Sequence, residues 1–180
     1  MNPLDILDFW YTPPMSEHWF SSTPEIDAEI REKFESVWEQ AAEGKLDAWK
    51  ETAEGCLALC IVIDQFPLNM FRGEAKSFST EQQAVAVCKY AVEKVLDQQL
   101  PIERRTFLYM PLMHSEHLTD QDESVRLFEA SKLENNIKFA HHHREIVRQY
   151  GRFPHRNAIL GRESTQAEID YLNSPQAFTG

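Results

Sequence analysis

The feature that most constrains this chain is a run of eight consecutive apolar residues, Cys56–Ile63. It forms the second half of a helical pattern over about 47–66, whose first half is amphipathic with Trp49 on its inner face. We expect Pro67 to end this helix, because proline lacks the amide hydrogen that continues a helix. The run is far too short to cross a bilayer. A helix that is apolar on every side must be covered on every side, so the sequence predicts a central helix surrounded by others.

Caps and prolines delimit the remaining elements. Thr23 before Pro24 is a typical helix start, and we expect that helix to end at Gly44. No stretch keeps the two-residue alternation of a strand. Further helices are predicted from the capping boxes Ser79–Gln82 and Thr165–Glu168, from Pro101 until Pro111 disrupts the pattern, from Thr119, and from about Asn136 to Tyr150. The chain therefore predicts a single all-α domain over residues 1–180, an array of antiparallel helices in which bundle packing and helical-repeat stacking remain alternatives.

Charge and cysteine content exclude several classes of protein. With 18 Lys+Arg against 29 Asp+Glu, the net charge of −11 disfavours nucleic acid and anionic membranes as partners. The first residues, MNPLDILDFW, carry no basic region, so we expect no signal peptide. Three cysteines, two of them one helical turn apart (Cys56 and Cys60), form neither a disulfide framework nor a metal knuckle. They are typical of small buried side chains in a reducing cytoplasm.

The first polar segment, D-Q-F-P-L-N-M-F-R-G, follows the apolar run. A carboxylate at that place, Asp64, is expected to be partly buried, and a buried carboxylate needs a cation or several donors. Arg72 is the nearest cation. The segment indicates either an acid that faces a ligand or an Asp–Arg pair that fixes the turn, and from this segment alone we favour the pair.

The second polar segment is M-H-S-E-H, residues 113–117. His114, Glu116 and a third ligand from elsewhere could bind a metal, but the spacing is not the H-E-x-x-H that places two histidines on one helical face. A loop histidine that is hydrogen-bonded to a carboxylate is the commoner arrangement. We therefore predict no metal site.

The third polar segment runs from His141 to Arg162. Only His143 lies squarely on the apolar stripe of its helix, where it is either a core histidine bonded to a backbone carbonyl or a general base that opens onto a pocket. From Arg144 to Glu163 the chain carries five arginines and two acids, a local charge of +3. The planar guanidinium suits carboxylate or phosphate. These arginines therefore indicate either a site for a small anionic molecule or neutralisation of acids on neighbouring helices.

These segments together carry a family resemblance. The matching motifs are L-D-F-W at 7–10, D-Q-F-P-x-N at 64–69, F-R-G at 71–73, P-x-M-H-S-E at 111–116, G-R-F-P-H-R-N at 151–157 and L-G-R-x-S-T at 160–165. With them the chain resembles the bacterial domain of unknown function 924. The resemblance implies an all-helical fold of stacked hairpins, similar to tetratricopeptide-repeat proteins, with a concave face; it carries no settled activity or cofactor. One departure is Leu68, where the family usually has arginine.

Two functions compete. The first is a site for a small anionic ligand, with binding alone or catalysis both consistent with the residues. In it His143, His114 and Glu116 would handle protons, and the ligand-binding set would be Asp64, Gln65, Asn69, Arg72, Arg152, His155, Arg156, Asn157 and Arg162. The second is a helical-repeat-like module that binds a protein or peptide along its concave face. There the polar motifs would brace the scaffold, and Trp10, Trp19 and Phe20 would contact the partner.

Overall fold

The structure, a computed structural model, describes residues 1–180, which contain helices and no strand. Eight helices follow one another: α1 (Pro3–Tyr11), α2 (Pro24–Ala42), α3 (Ala53–Met70), α4 (Glu81–Glu93), α5 (Arg105–His114), α6 (Leu118–Ser131), α7 (Glu134–Tyr150) and α8 (Gln166–Leu172). Short 3₁₀ turns fill several of the connections. The prediction of an all-α fold is confirmed, and the tetratricopeptide-like stacking is compatible with it but stays a prediction.

Helix α3 is the centre of the core, as its all-round apolar run predicts. Every residue of Cys56–Ile63 is buried, and the helix packs against α1, α4 and α5, with its last turns on α2. The segment Ala53–Met70 is long and apolar enough to cross a membrane, but 89% of it is buried inside the fold, as in the core helix of a globular domain. The predicted central helix is confirmed.

The predicted end of this helix at Pro67 is wrong, because α3 continues to Met70 through a π turn at Ile61–Gln65. Pro67 has no amide hydrogen to offer the carbonyl four residues earlier. That carbonyl, on Ile63, instead accepts a 2.6 Å hydrogen bond from the hydroxyl of Thr80. The Thr80 oxygen in turn accepts from the indole of Trp38 at 3.1 Å. The Thr80 hydroxyl thus satisfies the carbonyl that Pro67 cannot, and α3 continues beyond the proline.

Other predicted boundaries also need correction. Helix α3 begins at Ala53 and not near residue 47, and α5 begins at Arg105 and not at Pro101. Helix α5 contains Pro111 and continues to His114, so the proline does not disrupt it. The predicted Ser79–Gln82 capping box is absent, since the Ser79 hydroxyl donates to the carbonyl of Lys76 and α4 begins at Glu81. Helix α6 begins one residue before the expected Thr119 cap. The Thr23 cap and the Thr165–Glu168 capping box are confirmed.

Gly55 permits a close backbone contact at the start of α3. Its helix packs against the 3₁₀ turn at Asp47–Glu51, and a Cβ atom at this glycine would stand 1.9 Å from the carbonyl oxygen of Trp49. No side chain fits that distance. The amide of Gly55 also donates to the hydroxyl of Thr52, which caps α3. The chain entry into the central helix therefore depends on a residue without a side chain.

Short connections in the second half of the chain place the polar motifs near one another. Three residues join α5 to α6 and two join α6 to α7, and both pairs pack on each other as in helical hairpins. The buried side-chain amide of Gln121 donates to the carbonyls of Met113 and Ser115 at 2.7 Å each. These bonds fix the backbone on both sides of His114.

Candidate functional site

A carboxylate–imidazole pair lies at the centre of the polar motifs. Asp64 projects from the π turn with a side chain only 3% exposed, and both of its oxygens lie 3.0 Å from Nδ1 of His114, whose side chain is 18% exposed. The Gln65 amide adds a 2.6 Å hydrogen bond to the same carboxylate. Because a carboxylate accepts, Nδ1 carries a proton, and in the neutral imidazole Nε2 then has the free lone pair. Nε2 has no protein partner and is not sealed from solvent.

Arg156 connects His114 to a residue that the sequence did not single out. One Nη donates to the carbonyl oxygen of His114 at 2.8 Å and the other to Oε2 of Glu81 at 2.7 Å. The guanidinium carbon of Arg156 lies over the rings of Phe78 and Phe153, 4.3 and 4.8 Å from their centroids. Its Nε is buried and has no hydrogen-bond partner. We call Asp64, Gln65, Glu81, His114 and Arg156 the His114 site.

Glu81 is the partly buried acid of this site. It is the first residue of α4, and its side chain is 12% exposed. Burial raises the pKa of the carboxyl group, and the nearby Asp64 charge acts in the same direction while Arg156 opposes both. The sequence offers little sign of this role, because an acid in the first turn of a helix is usually a solvated partner of the helix dipole.

A second cluster, centred on Glu116, fastens the C-terminal segment to the α5–α6 loop. Arg162 donates to both oxygens of Glu116, at 2.6 and 2.8 Å, and the amide of Phe153 donates to the same carboxylate at 2.8 Å. Asn157 accepts from Nε of Arg162 at 3.0 Å. Burial would raise the pKa of Glu116, but the hydrogen bonds from Arg162 and Phe153 outweigh it and lower the pKa. This carboxylate is thus a fixed anion.

The same network extends to α8 through Arg152. Its Nε and one Nη donate to the two oxygens of Glu168, at 2.7 and 2.9 Å. The Thr165 amide and the Asn157 amide group donate to the same carboxylate. The hydrogen bond from Arg152, with those from Thr165, lowers the Glu168 pKa to about 2. The arrangement holds α8 against the segment before it.

Asn69 and Arg72 belong to a separate cluster around Asp27 of α2. The Asn69 amide group donates to Asp27 at 2.8 Å and Arg72 donates at 2.7 and 3.1 Å. Burial raises the pKa of Asp27, but the bonds from Arg72, Asn69 and Ser22 outweigh it and lower the pKa. The cation that the sequence analysis offered to Asp64 therefore pairs with Asp27, and Asp64 pairs with His114.

His143 and His155 lie in an apolar pocket formed with Phe178. The Nδ1 of His143 is 2.7 Å from the carbonyl of Phe139, and its ring is 4.5 Å from that of Phe178. Burial lowers the pKa of His143 to about 3; burial, reinforced by Arg156, lowers that of His155 to about 4. The structure thus favours the core interpretation of His143. Because this side chain is buried among aromatic rings and its Nδ1 is held by the carbonyl of Phe139, we leave His143 out of the proposed catalytic set.

The predicted site residues thus fall into four groups. The structure brings Asp64, Gln65, His114 and Arg156 together, and places Glu116, Arg152, Asn157 and Arg162 in the adjoining Glu116 cluster. Asn69 and Arg72 lie in the Asp27 cluster, and His143 and His155 in the apolar pocket. Sequence reasoning missed Glu81 and Asp27. The sequence indicated only that each arginine of the motifs needs an acidic partner. Asp27 is that partner for Arg72, and Glu81 is that partner for Arg156.

Comparison with known proteins finds a matching family and a similar solved structure. The chain matches the sequence profile of the family described as bacterial protein of unknown function (DUF924) over residues 6–176. It is also similar to the solved structure of a protein of unknown function from Agrobacterium tumefaciens. The two are 37% identical, with a TM-score of 0.89 over 95% of this chain and 96% of that chain. No curated protein matches.

Proposed function

The chain belongs to the DUF924 family of bacterial proteins of unknown function, and on the geometry of its polar centre we propose that it acts on a small molecule by acid–base chemistry at His114. The observation that carries the proposal is the Asp64–His114 pair. A buried carboxylate holds Nδ1, and the opposite nitrogen retains a free lone pair and access to solvent. Such an imidazole is oriented to accept a proton from a bound hydroxyl, amine or water.

Each neighbouring group has a defined part in this proposal. The Asp64 charge stabilises the imidazolium that forms when Nε2 takes a proton, as the carboxylate does in hydrolase triads. Gln65 holds that carboxylate in place, and Arg156 holds the backbone carbonyl of His114. Burial of Asp64 strengthens its interaction with the imidazolium, because the local dielectric is low.

A small anionic ligand held by arginines stays a prediction. Each of the three arginines named for that purpose, Arg152, Arg156 and Arg162, already donates to a carboxylate of the protein. An anion would have to compete with that carboxylate at every one of them. The proposal therefore rests on His114, and Glu116 serves in it as the fixed partner of Arg162. We also propose a cytoplasmic location, supported by three cysteines that are all free and buried.

Hydrolysis of p-nitrophenyl acetate tests the proposal without knowledge of the substrate. This neutral ester reports any accessible, unprotonated imidazole nitrogen, whether it attacks the ester or activates water. We expect His114→Gln to lower the rate and Asp64→Asn to give an intermediate rate, with both variants folded by circular dichroism. His117→Gln is the matched control, because His117 is exposed and three residues away. Equal rates for the His114 and His117 variants would refute the proposal.

A specific observation also favours the second candidate, a protein- or peptide-binding module. The Phe20 side chain is 75% exposed, and its ring stacks 6.3 Å from that of Phe107. Trp10 is fully buried and so is not available to a partner, which corrects one of the three predicted contacts. If this module is the function, Phe20→Ser abolishes capture of a stoichiometric partner while His114→Gln leaves it intact. The reverse result would remove this candidate.

A further inference from the structure

The charges around His114 do not balance. Asp64 and Glu81 supply two carboxylates, and Arg156 is the one guanidinium that contacts the site. With His114 neutral, the site carries a net charge of −1. The adjoining ion pairs do not offset this charge, because Glu116 with Arg162 and Glu168 with Arg152 are each internally neutral.

One carboxylate oxygen of Glu81 has no hydrogen-bond partner in the protein. Oε2 accepts from Arg156 at 2.7 Å, whereas Oε1 accepts no hydrogen bond from the protein and is not sealed from solvent. Both oxygens of Asp64, in contrast, lie within hydrogen-bond distance of Nδ1 of His114, so its charge is already paired within the protein. Glu81 is therefore the carboxylate of the site that has capacity for an outside partner.

Arg156 fixes Glu81 relative to His114. The same guanidinium donates to the Glu81 carboxylate and to the His114 carbonyl, and it also contacts the rings of Phe78 and Phe153. A molecule that reaches the free Nε2 of His114 thus approaches a region whose excess charge is negative. Anions are repelled from such a region, and cations are attracted to it.

We propose that Glu81 is a specificity-determining residue of the His114 site, and that the molecule bound there carries a positively charged nitrogen, as an ammonium or guanidinium group, rather than an anionic group. This inference rests on the proposed function, because it assigns a ligand class to the same site. In it the charged nitrogen pairs with Oε1 of Glu81, and the reacting group faces Nε2 of His114. The role assigned to Glu81 is to select the ligand, while proton transfer belongs to His114.

Alkylation of His114 by two reagents of different charge tests the inference. Iodoacetamide is neutral and iodoacetate is an anion, and both form a bond from imidazole nitrogen to carbon with loss of iodide. Peptide mass spectrometry gives the rate at each histidine, and the exposed His142 is the internal reference for the charge of the whole protein. We expect His114 to prefer iodoacetamide over iodoacetate by about three- to tenfold more than His142 does.

Variants assign the preference to Glu81. Glu81→Gln should remove most of it and Glu81→Asp, which keeps the charge, should retain it. Glu93→Gln is the matched control, since it removes the same charge from the exposed end of α4. An equal or faster reaction of His114 with iodoacetate, or a preference unchanged in Glu81→Gln, would overturn the inference. Failure of both reagents at His114 would instead refute the proposed function, because Nε2 would not be accessible.

Discussion

Replacement of His143 by leucine should flatten the dependence of stability on pH between 7 and 5. His143 is 5% exposed, and burial lowers its pKa from 6.5 to about 3. In the unfolded chain the imidazole takes up a proton as the pH falls through 6.5, and in the folded protein it stays neutral. The unfolded state therefore binds more protons across this window, and the free energy of unfolding falls as the pH falls.

The size of the effect follows from the unfolded pKa. Each pH unit below 6.5 costs about 1.4 kcal/mol while the folded side chain stays neutral, so the step from pH 7 to pH 5 costs about 2 kcal/mol. This value holds for any folded pKa below about 4, so it does not depend on the depth of the shift. The leucine variant has no such group. It should lose about 2 kcal/mol less than the wild type over the same step.

Urea denaturation at pH 7 and pH 5 measures this difference. The carbonyl of Phe139, which loses its 2.7 Å bond to the imidazole in the variant, lies inside α7 and has a helical amide as its other partner. His142→Leu is the control, because His142 is the exposed neighbour on the same helix. If His143→Leu shows the same loss between pH 7 and pH 5 as the wild type, the imidazole is not neutral in the folded state and the reasoning is refuted.

Two further results are expected. Gly55→Ala should destabilise the protein by about 2 kcal/mol or more, because its Cβ would meet the Trp49 carbonyl at 1.9 Å; an unchanged urea midpoint would contradict that contact. Ellman's reagent at pH 8 should react slowly with the thiols of Cys56, Cys60 and Cys88 in the native protein and should label all three in urea. Each thiol is buried, and burial raises its pKa. A fast reaction with the native protein would show that the core opens at these cysteines.

The fold was predictable because its signal is local. A run of residues that is apolar on every side of a helix must be covered by other elements. Thr23 and Thr165 mark the starts of their helices, because each accepts a hydrogen bond from the backbone amide three residues later. The end of α3 was not predictable in this way. Whether Pro67 stops the helix depends on Thr80, seventeen residues after the carbonyl that it satisfies, and no local pattern contains that bond.

In the candidate site, too, features with a local signal were predictable and contacts between distant segments were not. Sequence alone indicated that Asp64 is buried and that it needs a partner, and both are so in the structure. It offered the nearest cation, Arg72, whereas the actual partner is His114, fifty residues away. Glu81 has no local signature at all. Ion pairs between distant segments are set by how the helices pack, and the order of charges along the chain does not contain that information.

The π turn of α3 sets the rotational phase between the two halves of that helix. The half before it buries Cys56 and its neighbours against α1, α4 and α5, and the half after it leads to Asn69 and Arg72 at Asp27. A π turn closes its hydrogen bonds over five residues where an α-helix uses four, so it holds one residue more for nearly the same rotation. If the same five residues formed regular α-helix, the second half would turn by about 100° relative to the first. The core and the Asp27 cluster could then not both be satisfied. The π turn therefore accommodates an extra residue inside α3 while each half keeps the face that it buries.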